Sequence, residues 1–68
     1  MTLSTLGDEL PKEIERNEGL LEQYAEIGPA GTFAATLIRR DISYARDAIA
    51  EGDVVVMLRI YEKLKNNQ

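Results

Sequence analysis

The sequence predicts an all-α fold, a small three-helix antiparallel bundle, from three observations. Apolar residues recur at helical spacing in three segments, glycine-containing breaks separate the segments, and 68 residues are enough for only one domain. The expected helices cover residues of about 9–27, 30–50 and 53–65, joined by short turns. They form a single helical domain over residues 8–66, after a flexible N-terminal tail over residues 1–7.

The first helix carries signals at both of its ends. Asp8 can act as its N-cap, and Pro11 is tolerated in a first turn. Gly28-Pro29 ends the helix, because the residue before a proline is pushed out of the α region. Gly19 costs a helix about 1 kcal/mol relative to alanine, so a break in the first helix at this position stays open.

The second and third helices are bounded by glycine and by capping residues. Pro29 and Thr32 supply start signals for the second helix, and Gly52 supplies a left-handed stop. Asp53 is a good N-cap for the third helix. The run Val54–Val56 would also suit a β-strand, but a lone strand has no second strand to pair with, so we favour the helix.

The short turns also predict which residues of neighbouring helices face each other. In antiparallel helices joined by a tight turn, the numbers of two facing residues add up to a constant. A sum of about 58 places apolar residues of the first helix opposite apolar residues of the second, and a sum of about 103 does the same for the second and third helices. In this register Asn17 and Asp41 interrupt the apolar stripes and lie opposite each other. We interpret them as a buried, hydrogen-bonded polar pair that fixes the register. An acid or base at the rim of a pocket is the alternative for Asp41.

The composition limits the chemistry that the chain can perform. Cys and His are absent, which excludes a zinc site with such ligands and a catalytic Cys or His. Glu18, Glu22 and Glu26 form an i, i+4 row, but no calcium-loop pattern accompanies them, and we interpret the row as a solvated face. We therefore expect no catalytic residue, no metal and no cofactor, and a non-enzymatic protein.

The charge pattern argues against nucleic acid as the main partner. The chain carries 12 acidic and 8 basic residues, and an acidic chain has no general attraction for phosphate backbones. The alternative function is a helix-turn-helix-like nucleic-acid-binding regulator with a basic patch on the second helix, formed by Arg39, Arg40 and Arg46. The third helix opens with valines, which cannot read base edges.

The third helix is the expected site of self-association, because it has more apolar residues than one intramolecular contact uses. The expected interface comprises Val55, Val56 and Ile60, with Arg59 and Lys63 at its rim. A chain this short without disulfides has a thin core, and small scaffolds commonly oligomerise. We expect a protein–protein interaction module that forms a homodimer, or binds another protein, and no membrane segment. The alternative is a stable monomer whose third helix is covered by the N-terminal tail.

Two resemblances accompany these patterns. Ala48–Asp53, followed by Tyr61–Lys63, is similar to the turn and second helix of a tetratricopeptide repeat. Met57 stands where that repeat favours a small residue, and no second copy of the pattern follows, so we interpret the segment as a generic helical hairpin.

The second resemblance covers residues 27–65. The segments Ile27–Phe33, Gly52–Val55, Met57–Arg59 and Tyr61–Lys65 resemble small uncharacterised helical proteins encoded by bacteriophages and prophages. This resemblance implies a phage accessory protein of unknown role in the cytoplasm of a bacterial host. It assigns no role to any individual residue.

Overall fold

Three α-helices form the structure, a computed structural model that describes residues 5–67. They are α1 (Leu6–Ala25), α2 (Pro29–Glu51) and α3 (Val54–Asn66), and each packs against the other two. The connections are only two or three residues long, so consecutive helices run antiparallel. The predicted all-α three-helix bundle is confirmed, and residues 5–67 contain no strand.

The N-terminus of α1 corrects the predicted boundary. Thr5, not Asp8, is the N-cap: its Oγ1 accepts a hydrogen bond from the backbone N–H of Asp8 at 3.2 Å. Leu6 and Gly7 are therefore helical, although the prediction put them in a flexible tail; residues 1–4 of that tail lie outside the described residues. Asp8 instead lies in the first turn, where the helix dipole favours a carboxylate.

The other predicted boundaries agree closely with the structure. α1 continues through Gly19 without a break, and Gly52 ends α2 in the left-handed conformation with φ of 68°. The Asp53 side chain accepts a hydrogen bond from the backbone N–H of Val56 at 3.2 Å, which caps α3 as predicted. The valine run is the first turn of this helix and not a strand.

The core lies along the line where the three helices meet. Its buried members are Leu10, Ile14, Ile38, Ile42, Ala45, Ala48, Met57, Ile60 and Leu64. The prediction that Ile60 lies on an outer interface is wrong, because this side chain is only 7% exposed and packs inside the bundle. α3 is rotated relative to the prediction: Met57 and Ile60 face inward, while Val54 and Leu58 face solvent.

Gly31 lets α1 and α2 approach each other closely near their connection. A Cβ atom at this position would lie 1.9 Å from the Tyr24 carbonyl oxygen and 2.9 Å from the Ile27 Cβ. The first contact is with backbone, which cannot rotate away as a side chain can. The absence of a side chain at Gly31 therefore sets the spacing of the two helices at this end of the bundle.

A pair of glycine substitutions tests this close approach. We expect Gly31→Ala to lower the free energy of unfolding by roughly 1–3 kcal/mol, because the added carbon forces the helices apart. Gly19→Ala is the matched control: its Cβ would meet nothing within 4 Å, and alanine is the better helix former by about 0.5–1 kcal/mol. Urea unfolding followed by circular dichroism measures both changes. Equal stability of the two variants would contradict the argument.

Candidate interaction surfaces

Two side chains of α1 hold the C-terminal end of α3. Arg16 Nη2 donates to the Leu64 carbonyl oxygen at 2.6 Å and to that of Lys65 at 3.3 Å. Asn17 Nδ2 donates to the same Leu64 oxygen at 3.1 Å. The last carbonyls of a helix have no partner within it, and they favour a cation nearby. We call these three hydrogen bonds the α3 clamp. They fix where α3 ends along α1.

Asn17 is fully buried, and both the nitrogen and the oxygen of its side-chain amide form hydrogen bonds. Its Nδ2 also donates to the Glu13 carbonyl oxygen at 2.8 Å, and its Oδ1 accepts from Asn67 Nδ2 at 3.0 Å. The predicted hydrogen bond to Asp41 is not formed, and this interpretation of the pair is wrong. The burial of both residues was predicted correctly, with Asp41 only 2% exposed.

Asp41 pairs with α3 instead of α1. Its Oδ1 lies 3.1 Å from Lys63 Nζ but accepts no directed hydrogen bond, so the contact is an ion pair. A buried carboxylate is costly without a counter-charge, and Lys63 supplies that charge from a half-exposed position. Lys63 therefore has a structural role within one chain, which the prediction of a rim contact did not include. The buried Asp41 carboxylate does not lie at the rim of a pocket.

Substitution of Asn17 tests the α3 clamp. We expect Asn17→Ala to lower the free energy of unfolding by roughly 1–3 kcal/mol, because a buried amide that satisfies several polar groups is lost. Backbone amides in the last turn of α3 should then exchange with deuterium faster than those in its first turn. Asn66→Ala, at an exposed position of α3, should change stability by less than about 0.5 kcal/mol. Unchanged exchange in the Asn17 variant would contradict the role of the clamp.

A double-mutant comparison tests the ion pair. We expect Lys63→Met to lower the free energy of unfolding by roughly 1–3 kcal/mol, because Asp41 is left buried without a counter-charge. Asp41→Leu combined with Lys63→Met should recover part of this loss, since no unpaired carboxylate remains. Lys65→Met is the control on the same helix. A Lys63→Met variant as stable as the control would contradict the pairing.

Exposed apolar side chains at the start of α3 form the first candidate surface. Val54, Val55 and Leu58 are each more than half exposed, and Val56 is a little over one third exposed. Successive residues of a helix point about 100° apart, so these side chains surround the first turns of α3 and do not share one face. We call these four residues the α3 surface. Val55, Val56 and Arg59 of the predicted interface are indeed exposed; Val54 and Leu58 take the place of Ile60, and Lys63 is paired with Asp41.

A second candidate surface lies at the connection between α1 and α2. Phe33 is 70% exposed, Ile27 is 63% exposed, and Leu37 is also solvent-exposed. Leu20 and Tyr24 of α1 are partly buried and pack against the core, so they do not belong to this surface. We call Ile27, Phe33 and Leu37 the hairpin-end surface. Sequence reasoning missed it, because the register assigned Leu37 to the contact with α1.

The arginines of the predicted nucleic-acid patch do not share one environment. Arg46 pairs with Glu18 of α1, whereas Arg39 and Arg40 are exposed and form no ion pair with a described residue. Successive residues of a helix point about 100° apart, so Arg39 and Arg40 lie on different sides of α2. Binding of nucleic acid by these residues stays a prediction.

Residues 5–67 contain no group of three or more carboxylates placed to hold a metal ion, and the same residues enclose no pocket. Within this part of the chain, no helix combines the length and apolarity needed to cross a membrane.

Comparison with known proteins finds no relative. No family model matches the chain, and neither a curated protein nor a solved structure is significantly similar to it. The resemblance to phage-encoded proteins therefore gains no support from these comparisons. The two apolar surfaces are the features from which a function can be inferred.

Proposed function

We propose that this protein is a non-enzymatic helical protein–protein interaction module that self-associates. The observation that carries the proposal is the exposure of large apolar side chains on two surfaces of a small bundle. Isolated apolar residues are ordinary on a protein surface, but contiguous patches mark interfaces. Burial of one side chain such as Phe33 contributes about 1.5–3 kcal/mol, which helps to offset the entropy lost on association.

The proposal revises the part of α3 that faces a partner. With Ile60 inside the core, the partner-facing residues of this helix are those of the α3 surface, with Arg59 at the rim. The remaining exposed positions of the helices are mostly charged or polar, and Tyr44 and Ile49 of α2 are the large apolar exceptions. A polypeptide partner with an apolar face matches the two surfaces better than a polar small molecule does.

The setting of the protein is a further part of the proposal. A phage accessory role in the cytoplasm of a bacterial host rests on the resemblance of residues 27–65 alone. Such a role leaves a host or phage protein as a second class of partner beside a second copy of the chain. Nucleic-acid binding is the alternative function. Salt-sensitive association with duplex DNA that is lost when Arg39 and Arg40 are replaced by alanine would support it.

Sedimentation velocity over a range of protein concentrations tests self-association. We expect the wild-type mass to rise above 7.6 kDa with concentration. A variant with both Phe33→Asp and Val55→Asp should stay monomeric, because each surface then carries a charge that is costly to bury. Ser43→Asp is the matched control, since it adds the same charge at an exposed polar position of α2. A wild-type protein that stays at 7.6 kDa at every concentration would refute self-association.

A further inference from the structure

One exposed stripe of α2 follows the seven-residue repeat of a coiled-coil seam. Its members are separated by four and three residues in alternation, and every one of them is exposed. Side chains with this spacing lie on one side of a helix, which is the side that packs against a partner helix in a coiled coil. We call this set of residues the α2 stripe; it consists of Phe33, Leu37, Arg40, Tyr44, Asp47 and Glu51.

The neighbouring exposed stripe of α2 differs in composition. It has the same spacing but no large apolar side chain, and it consists of Thr32, Thr36, Arg39, Ser43, Arg46 and Ala50. On the α2 stripe, by contrast, Phe33 is 70% exposed and Tyr44 is 55% exposed. Apart from Ile49, all large exposed apolar side chains of α2 belong to the α2 stripe. The apolar exposure of this helix is therefore concentrated on one side.

The charged residues of the α2 stripe define the order of charges that a partner must present. Arg40, Asp47 and Glu51 are exposed, and none of them forms an ion pair with another residue of the range 5–67. The cation precedes the two carboxylates along the helix. A complementary helix must therefore present carboxylates and a cation in the reverse direction, and a second copy of α2 presents this order when it runs antiparallel.

We propose that a second copy of this chain packs antiparallel along the α2 stripe, about a two-fold axis that crosses α2 between Tyr44 and Asp47. This inference rests on the proposed function and names both the partner and the register. Arg40 of each copy then faces Glu51 of the other and forms an ion pair. Tyr44 faces Asp47 of the other copy, and its phenol can donate a hydrogen bond to that carboxylate. The symmetry repeats each contact twice.

The same arrangement brings the two apolar surfaces together. Leu37 of the hairpin-end surface faces Val54, which follows Glu51 by three residues and begins α3 directly after the turn. Phe33 lies one turn further out, at the edge of the contact. Each copy therefore places part of its hairpin-end surface against the α3 surface of the other. Because both copies use the same residues, assembly stops at the dimer.

Other arrangements of the α2 stripe pair its residues poorly. A shift of the axis by one layer, to a position between Arg40 and Tyr44, places Leu37 against Asp47. A parallel dimer in register places Arg40 against Arg40 and Asp47 against Asp47. An unrelated apolar helix would remove the charges of the stripe from water without supplying counter-charges, which is costly. The charge order therefore selects the antiparallel second copy.

The size of the contact sets the conditions for its detection. The part of α2 between Leu37 and Glu51 is about 21 Å long at 1.5 Å per residue. A single pair of helices in contact over this length is at the small end of specific interfaces. We therefore expect a dissociation constant of roughly micromolar magnitude or weaker, and sedimentation velocity should span concentrations from about 10 μM to about 1 mM.

Two adjacent residues of α2 provide a matched pair of variants. We expect Tyr44→Asp to weaken dimerisation at least about tenfold, because it removes an apolar contact and places a carboxylate against Asp47 of the other copy. Ser43→Asp adds the same charge on the neighbouring stripe and should dimerise like the wild type. Both positions are exposed in the single chain, so the helix content by circular dichroism should not change.

A charge exchange tests the antiparallel register without removing an apolar side chain. We expect Arg40→Glu and Glu51→Arg each to weaken the dimer by roughly threefold to tenfold, since each places like charges together twice. The chain that carries both substitutions should regain dimerisation, because the attraction is restored with reversed signs. Arg39→Glu is the control, since Arg39 is exposed beside the α2 stripe and should not affect the dimer. Rescue should fade at high salt, which screens exposed charges.

Each outcome decides between the proposals. A dimer that survives both Tyr44→Asp and Arg40→Glu overturns this inference and leaves the proposed function intact. A wild-type monomer at about 1 mM overturns both. Loss of the dimer with Tyr44→Asp and rescue by the charge exchange supports the register. Loss without such rescue overturns the antiparallel arrangement.

Discussion

The bonds from α1 to the end of α3 determine how much of the bundle is covered. The Leu64 carbonyl oxygen accepts hydrogen bonds from both Arg16 and Asn17 of α1. Carbonyls at a helix C-terminus otherwise depend on water or on a left-handed cap residue. Because α1 supplies the partners, α3 stops level with the middle of α1. The position of α3 along α1 follows from these hydrogen bonds.

The two polar residues in the core act as independent registration devices. Asn17 relates α1 to α3, and Asp41 relates α2 to α3 through Lys63. Each would leave a buried polar group unsatisfied if its helix slid by one turn, and such a group is costly. These polar contacts therefore fix the position of α3 along both neighbouring helices. The apolar core stabilises the packing of the helices but tolerates small shifts in their register.

The helices could be predicted from the sequence because glycine, proline and aspartate mark their ends. Gly52 and Asp53 act locally, through backbone conformation and a side-chain cap, so their effect can be read without the rest of the fold. The inward face of α3 could not be read in this way. Apolar residues cover most of the circumference of its first two turns, and helical spacing alone does not distinguish a core containing Met57 and Ile60 from one containing Val54 and Leu58.

The location of the α3 terminus also affects what can be attached to the protein. Asn67 follows α3 in an extended conformation, with ψ of 140°, and its side chain is bonded to Asn17. Any segment that continues from Asn67 therefore starts beside the buried Asn17 side chain. A segment that pulled Asn67 away from this position would remove the hydrogen bond that Asn17 Oδ1 accepts, whereas a segment that continued the extended backbone would keep it.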